Sequence, residues 1–490
     1  MSYEQENKQA LVAYFIEGAK GDKPLGALGV EVEHFVVTAE GEHSVSYAGS
    51  EGEFGVRDVL AHLADAYPQH TYGLEGDLIG LASDEASITL EPAAQLEISI
   101  APYLSIGQIL RVYSEFRSKV DPFLAEHGCK LVTSGYHPTA RALELTLIPK
   151  QRYRFMNNYF MEIGTHGERM MRASASTQVS VDYRDEADAI RKMRIAQALA
   201  PIFASVTDNT AVFEAEPAPR LARFALWRNV DNDRCGSVPG LFSEGYGFAD
   251  YADWILRTCP IFVTRPSADD PAGPNLRAVY GQSAYEAYGD APMTRADIEH
   301  VLSMFWPDVR LKNFVEIRPA DSLPAPLMAG YAALVKGVFY SERSLCAIEQ
   351  AFGAAEGVWL LNDSSANQAL EAIQRHGAEA VIYGKTLAEW QELIFEVADE
   401  ALNEEDAAHL PAADDSPYVG IFAVLLWSYS YMITGCFVHY PLLRANALMM
   451  FTIPSGGTNE DIYQRALCSA LHGVFGGAWR YGAGAIEGNR

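Results

Sequence analysis

Four separated stretches of this chain alternate strictly between aliphatic and polar side chains, and that alternation limits the fold more than any other feature. Successive side chains of a strand point to opposite faces. In "GVEVEHFVV", residues 29–37, Val30, Val32, His34 and Val36 therefore share one face, while Glu31, Glu33 and Phe35 share the other. The two carboxylates stand about 7 Å apart along the strand. "AQLEISI" sets Leu96, Ile98 and Ile100 against Gln95, Glu97 and Ser99. "TQVSVDY" sets Val179 and Val181 against Gln178, Ser180 and Asp182, and "FVEIRP" sets Val315 and Ile317 against Glu316 and Arg318. If the four share one sheet, its second face is lined with carboxylates, amides and an arginine.

Any one such strand is also what an ordinary antiparallel sheet with a solvated outer face would show. The recurrence asks for more, because carboxylates at that density repel one another and rise in pKa unless cations sit between them. Oxygen ligands without clustered His or Cys select a hard cation, so Mg²⁺, with Mn²⁺ as the substitute, is expected on Glu31 and Glu33. Several Mg²⁺ ions point to polyphosphate chemistry. The chain has no G-x-x-x-x-G-K-[ST] loop, which excludes a P-loop enzyme. Its net charge of -27, with no dense run of Lys and Arg, excludes a nucleic-acid backbone as partner. Six cysteines without a C-x-x-C pair read as reduced thiols, and the charged N-terminus lacks a signal peptide's basic and apolar regions, so a cytoplasmic location is expected.

Between the strands, apolar spacing predicts an amphipathic N-terminal helix, a helix from about Val56 to Tyr67, a helix capped by Ser105 and a long helix beginning near Asp185. Residues 86–102 read as one strand region and residues 311–321 as one late strand. The irregular order of strands and helices indicates an α+β (or α/β) fold with an antiparallel sheet. Residues 1–410 form the expected catalytic domain, and the acidic, Ala- and Pro-rich segment at 403–417 is the best linker. The tail, 411–490, contains an uncharged stretch from Tyr418 to Tyr440. It is long enough for a bilayer, but its Ser, Thr and Tyr content favours a buried or partner-facing element over a membrane span.

With the polar-faced strands in hand, the sequence resembles the plant-type glutamate-cysteine ligase family, which has bacterial members. "GVEVEHF" is similar to the family's G-x-E-x-E-x-F segment, and "ITLEPAAQLEISIAP" to S-L-E-P-G-G-Q-x-E-L-S-x-A-P. "GYHP", "RYRFMNNYF" with "MM" and "TQVSVD", "LWRNVDNDRCGSVPGLF", "YGFADYADW" and "FWPDVRLKNFVEIRPAD" match further segments in the same order. The resemblance runs from Leu28 to about Leu410. It implies a glutamine-synthetase-like fold, a curved antiparallel sheet forming a funnel-shaped active site backed by helices. It also implies that ATP, as co-substrate, drives joining of the L-glutamate γ-carboxylate to the L-cysteine amine through a γ-glutamyl phosphate, the first step of glutathione biosynthesis.

Carried onto this sequence, the resemblance makes Glu31, Glu33, Glu91, Glu97, Gln178 and Glu316 the metal ligands. Arg318 and Glu316 become the catalytic pair, with Arg318, Gln178 and Ser180 at the nucleotide. Arg265, Arg234, Arg223 and Trp227 fall at the substrate pocket, Arg265 on the glutamate α-carboxylate; a core role for Trp227 is equally open. Two positions depart from the family pattern. Arg172 stands six residues before Gln178, where the family spacing puts Ala173, and Ser180 replaces an Asn. On a strand, the first shift would reverse the side chain's face. Two other readings stay open: a same-fold carboxylate-amine ligase with a different amine acceptor, and a non-catalytic metal-binding protein. Monomer and homodimer are equally compatible with the sequence.

Overall fold

The computed structural model describes residues 3–49, 53–73, 75–266, 276–354 and 357–410. The expectations for the tail, including the 418–440 stretch, lie outside these residues. Nine strands form the main sheet: β1 (Leu28–Thr38), β2 (Gln69–Tyr72), β3 (Leu78–Ala82), β4 (Ala86–Leu90), β5 (Leu96–Tyr103), β6 (Cys129–Val132), β7 (Thr177–Val181), β8 (Val309–Leu311) and β9 (Val315–Ile317). They run β8-β9-β7-β1-β5-β4-β3-β2, with β6 paired to the far end of β1. Each pairing along this order is antiparallel. The expected antiparallel α+β fold is therefore the one observed, and all four alternating segments belong to this sheet.

One face is apolar and covered. Val30, Val32, Ile98, Val179, Val181, Val315 and Ile317 are fully buried, against helices Ile106–Glu126, Glu186–Val206 and Ala325–Phe339. Burying a side chain of this size stabilises the fold by about 1.5–3 kcal/mol, so the register that turns these residues inward is strongly specified. The same register forces the alternate residues onto the opposite face. Ser105 accepts from the Gly107 N–H to cap the first of these helices, and Asp185 accepts from Asp188 N–H to cap the second, each satisfying a donor the helix leaves open.

His34 departs from the simple pattern, for it is a buried imidazole on the aliphatic face. Its Nδ1 lies 3.0 Å from the Leu96 carbonyl and its Nε2 2.7 Å from the Tyr113 hydroxyl. Both ring nitrogens are thus satisfied within the core, and burial pushes its pKa down to about 3.

Three predicted elements differ. The helix from Val56 stops at Leu63. Residues 86–102 are two strands, β4 and β5, because Pro92 cannot continue the ladder and the chain turns through Ala94 in the left-handed region at φ 68°. The late strand of residues 311–321 is instead the second half of a hairpin, β8 to β9, in which Lys312 N–H donates to the Phe314 carbonyl across the turn (2.9 Å). Among the described residues no helix is long and apolar enough to cross a membrane.

Candidate active site

Register decides which polar side chains meet. On the polar face Glu31 of β1 is opposite Ser99 of β5 on one side and Gln178 of β7 on the other. Glu33 is directly opposite Glu97. Further along, Ser180 is opposite Glu316 of β9, which is itself opposite Arg310 of β8. Like charges placed across a ladder destabilise it, so the Glu33 and Glu97 pair marks a place where packing alone does not explain the sequence.

Hydrogen bonds hold these carboxylates. Glu33 accepts from Ser176 N–H (2.8 Å), Ser176 Oγ (2.9 Å) and Gln178 Nε2 (3.3 Å). Glu97 accepts from Thr89 Oγ1 (2.9 Å) and Ser99 Oγ (2.8 Å). Glu316 is fully buried and carries three cations: Arg310, Lys312 Nζ at 3.2 Å and Arg318 Nη1 at 2.9 Å. Arg318 Nη1 also donates to Gln178 Oε1, joining β9 to β7.

The electrostatics divide the face in two. Burial, then the charges of Glu97 and Glu316, pushes the Glu31 carboxyl up to about 7. Burial, then Glu91 and Glu97, pushes Glu33 up to about 8, and burial followed by Glu91 raises Glu97. At the other end burial works against Glu316, but Arg310, Lys312 and Arg318 outweigh it and hold that carboxyl well below the usual range. At one end Arg223 and Lys150 only partly offset the carboxylates, whereas at the other the cations outweigh burial.

A cation would satisfy the first end. Three carboxylates whose ionisation is opposed by one another, carrying only oxygen donors, are the donor set a hard divalent ion requires. As they stand, no three His, Cys, Asp or Glu side chains among the described residues converge closely enough to hold one, since Glu33 and Glu97 are turned toward protein donors. Glu91, at the end of β4, adds its charge to the same end of the face.

The expected substrate arginines are spread around this face. Arg223 is buried, and its Nη1 donates to the carbonyls of Arg318, Pro319 and Ala320 (3.4, 3.3 and 3.1 Å), so it braces the backbone that follows β9. Arg234 is wholly buried, bonded to Asp231 (2.6 Å), the Tyr159 hydroxyl (3.0 Å) and the Cys259 carbonyl (2.6 Å), with Nη1 unpartnered. Arg265 is partly exposed, bonded to Asp290 (2.9 Å) and lying 4.4 Å over the Tyr288 ring. Trp227 is half-buried in a short 3-10 turn and packs against the core.

Arg172 lies in the helix Gly167–Ala173, not on a strand. Its one-residue shift is therefore a rotation of about 100° around a helix and not a reversal of face. Its guanidinium points to the Leu145 carbonyl (3.0 Å) and Asn157 (2.7 Å).

Sequence reasoning assigned no role to Arg310, Lys312, Ser176 or Lys150. Arg310 and Lys312 share parity with Glu316 and Arg318 in the sequence, but only the β8 to β9 hairpin brings Arg310 opposite Glu316. Lys150 carries no such signal. Only the fold places it where Glu91 and Glu97 act on it, half-buried at 4.7 Å over the Tyr153 ring, with burial lowering its pKa.

A sequence profile described as Glutamate-cysteine ligase family 2 (GCS2) matches residues 27–380. Glutamate--cysteine ligase B, chloroplastic, from Oryza sativa subsp. japonica is 32% identical over 343 residues, covering 70% of this chain and 68% of that protein. The chloroplastic glutamate--cysteine ligase of Arabidopsis thaliana is 31% identical over 344 residues, 70% of this chain and 64% of that one. A crystal structure of glutamate--cysteine ligase (gshA) from Francisella tularensis in complex with AMP superposes with a TM-score of 0.47 at 10% identity, over 82% of this chain and 85% of that chain.

Proposed function

The chain belongs to glutamate-cysteine ligase family 2, and from that premise we propose that it uses ATP to join the γ-carboxylate of L-glutamate to the amine of L-cysteine. The product, γ-glutamylcysteine, is the first intermediate of glutathione biosynthesis. The observation that supports this reading best is the division of one sheet face into a carboxylate end (Glu31, Glu33, Glu97) and a cationic end (Arg310, Lys312, Arg318), bridged by the Gln178 to Arg318 hydrogen bond.

A carboxylate is a poor acyl donor, so the γ-carboxylate is first phosphorylated and the amine then displaces phosphate. Arg318 is suited to the transferring phosphoryl group, because a fixed guanidinium is already oriented where negative charge develops. Glu31, Glu33, Glu91, Glu97 and Gln178 would hold Mg²⁺, which supplies charge neutralisation and a template for the polyphosphate; Glu316, whose two oxygens are taken by Arg310, Lys312 and Arg318, would join them only by exchanging one of these contacts for the metal. Ser180, beside Glu316, is within the stretch of face that the nucleotide phosphates would cover. Arg265, the most accessible of the substrate arginines, is the candidate for the glutamate α-carboxylate, with Arg223, Arg234 and Trp227 as the further candidates for the substrate pocket. The four described cysteines are all free thiols, which supports a reducing compartment such as the cytoplasm.

ADP release from the full chain with ATP, Mg²⁺ and L-glutamate, with and without a panel of amines headed by L-cysteine, tests the proposal. Release that depends on L-cysteine is expected. Preference for another amine would move the acceptor while keeping the mechanism, and no release with any amine would overturn the reading.

A further inference from the structure

Arg310 lies on β8 directly across the hairpin from Glu316, and it is buried. Its Nε donates to Glu316 Oε2 at 2.7 Å and its Nη2 to Oε1 at 3.0 Å, a two-pronged contact that fixes the plane of the carboxylate. The remaining nitrogen, Nη1, donates to the Phe305 carbonyl at 3.0 Å. Every nitrogen of this guanidinium is committed to protein, which separates it from Arg318 and rules it out as a group that reaches for substrate.

What it holds is the end of a continuous chain of hydrogen bonds. Arg310 fixes Glu316; Glu316 Oε2 accepts from Arg318 Nη1; the same Nη1 donates to Gln178 Oε1; Gln178 Nε2 donates to Glu33 Oε1; and Glu33 is bound by Ser176. The path crosses β8, β9, β7 and β1 and runs from the cationic end of the face to the carboxylate end. Without the fork, Glu316 keeps Lys312 Nζ on Oε1 (3.2 Å) and Arg318 Nη1 on Oε2 (2.9 Å), two single contacts from flexible side chains that no longer fix the plane of the carboxylate. Arg318 then loses the fixed partner that keeps Nη1 turned toward Gln178.

We propose that Arg310 is a positioning residue for the ligase reaction, acting through Glu316 to aim Arg318 and, through Gln178, to set Glu33. The proposal rests on the ligase reading above. Lysine at 310 would retain the charge but not the fork, so it isolates geometry from electrostatics.

The test uses the full chain with Arg310→Lys, titrated with Mn²⁺ alone in the absence of nucleotide and, separately, assayed for kcat and KM. Weakening of Mn²⁺ binding and a fall in kcat, each of about 10–100-fold as for other residues that orient metal ligands, are expected, with KM for L-glutamate unchanged. Adding Arg310→Lys to Arg318→Lys should cost little more than Arg318→Lys alone, because both act on one path. Losses that multiply, or a lowered melting temperature with Mn²⁺ binding and kcat intact, would overturn the proposal. If Arg310→Lys does not fold, Arg310→Gln, which keeps one N–H donor toward Glu316 but not the two-pronged contact, is read by the same titration with the same expected and overturning results. A wild-type chain that binds Mn²⁺ but ligates no amine would refute the proposed function, while the titration would still judge Arg310.

Discussion

At the scale of single residues, the polar face is a set of charges that protein groups satisfy unevenly. Glu316 is saturated by three cations, whereas Glu31, Glu33 and Glu97 chiefly burden one another. The predicted consequence at Arg318 is specific. Arg318→Ala removes charge that matters in the transition state, so kcat should fall by about 10²–10³ with little change in KM for glutamate, measured by steady-state ADP release. Equal losses in binding and turnover would instead make Arg318 a substrate contact. The residues of this face were legible in the sequence because alternation needs only parity, and Glu31, Glu33, Glu97, Gln178, Glu316 and Arg318 all follow it. The orientation of their side chains was not. Arg223 is bound inward by the carbonyls after β9, and Arg234 by its near neighbour Asp231 and by Tyr159 and the Cys259 carbonyl; apart from Asp231, these partners are far apart in sequence and no spacing rule brings them together.

At the scale of elements, the hairpin β8 to β9 carries Arg310, Glu316 and Arg318, and its turn is seated on the N-terminal helix Glu4–Gly18. A Cβ at Gly18 would stand 2.3 Å from the Tyr183 hydroxyl and 2.5 Å from the Asn313 Cα. Tyr183 itself donates to the Phe15 carbonyl (2.5 Å) and the Lys312 carbonyl (3.1 Å), tying helix and turn together. Gly18→Ala should therefore destabilise the chain by about 1–3 kcal/mol, the usual cost of overpacking, read from the midpoint of urea unfolding. Because backbone atoms of the turn must yield, kcat should fall as well; Gly21→Ala, where a Cβ meets nothing but the backbone is left-handed at φ 56°, should affect stability without touching kcat. The hairpin was misread as a single strand for a physical reason. Val309–Leu311 and Val315–Ile317 keep the same parity on either side of Lys312 to Phe314, and Asn313 alone is a weaker turn mark than Gly or Pro. The β4 to β5 turn was blurred in the same way, with Ala94 in a left-handed conformation that sequence associates with glycine.

At the scale of the whole molecule, two groups of buried ionisable side chains pull stability in opposite directions with pH. His34 and His137 have folded pKa values lowered by burial to about 3 and about 4. Their contribution is complete above the unfolded value of about 6.5 and is lost as pH falls below it. Glu31 and Glu33 are raised to about 7 and about 8, so their contribution is complete below the unfolded value of about 4.3 and is lost as pH rises through 7 to 8. Above pH 6.5 the histidines no longer change, and only the carboxylates act. The metal-free chain should thus lose stability between pH 6.5 and 8.5, since the unfolded state binds fewer protons there than the folded one. A divalent cation competes with those same protons, so its stabilisation should grow over this window. Melting temperatures with and without Mg²⁺ at pH 6.5 and 8.5 check both halves of the argument: the Mg²⁺-induced rise should be larger at pH 8.5, and Glu97→Gln, which removes a charge opposing ionisation of Glu31 and Glu33, should shrink the pH dependence of the metal-free chain. A rise of equal size at both pH values would mean that Mg²⁺ binds away from these carboxylates.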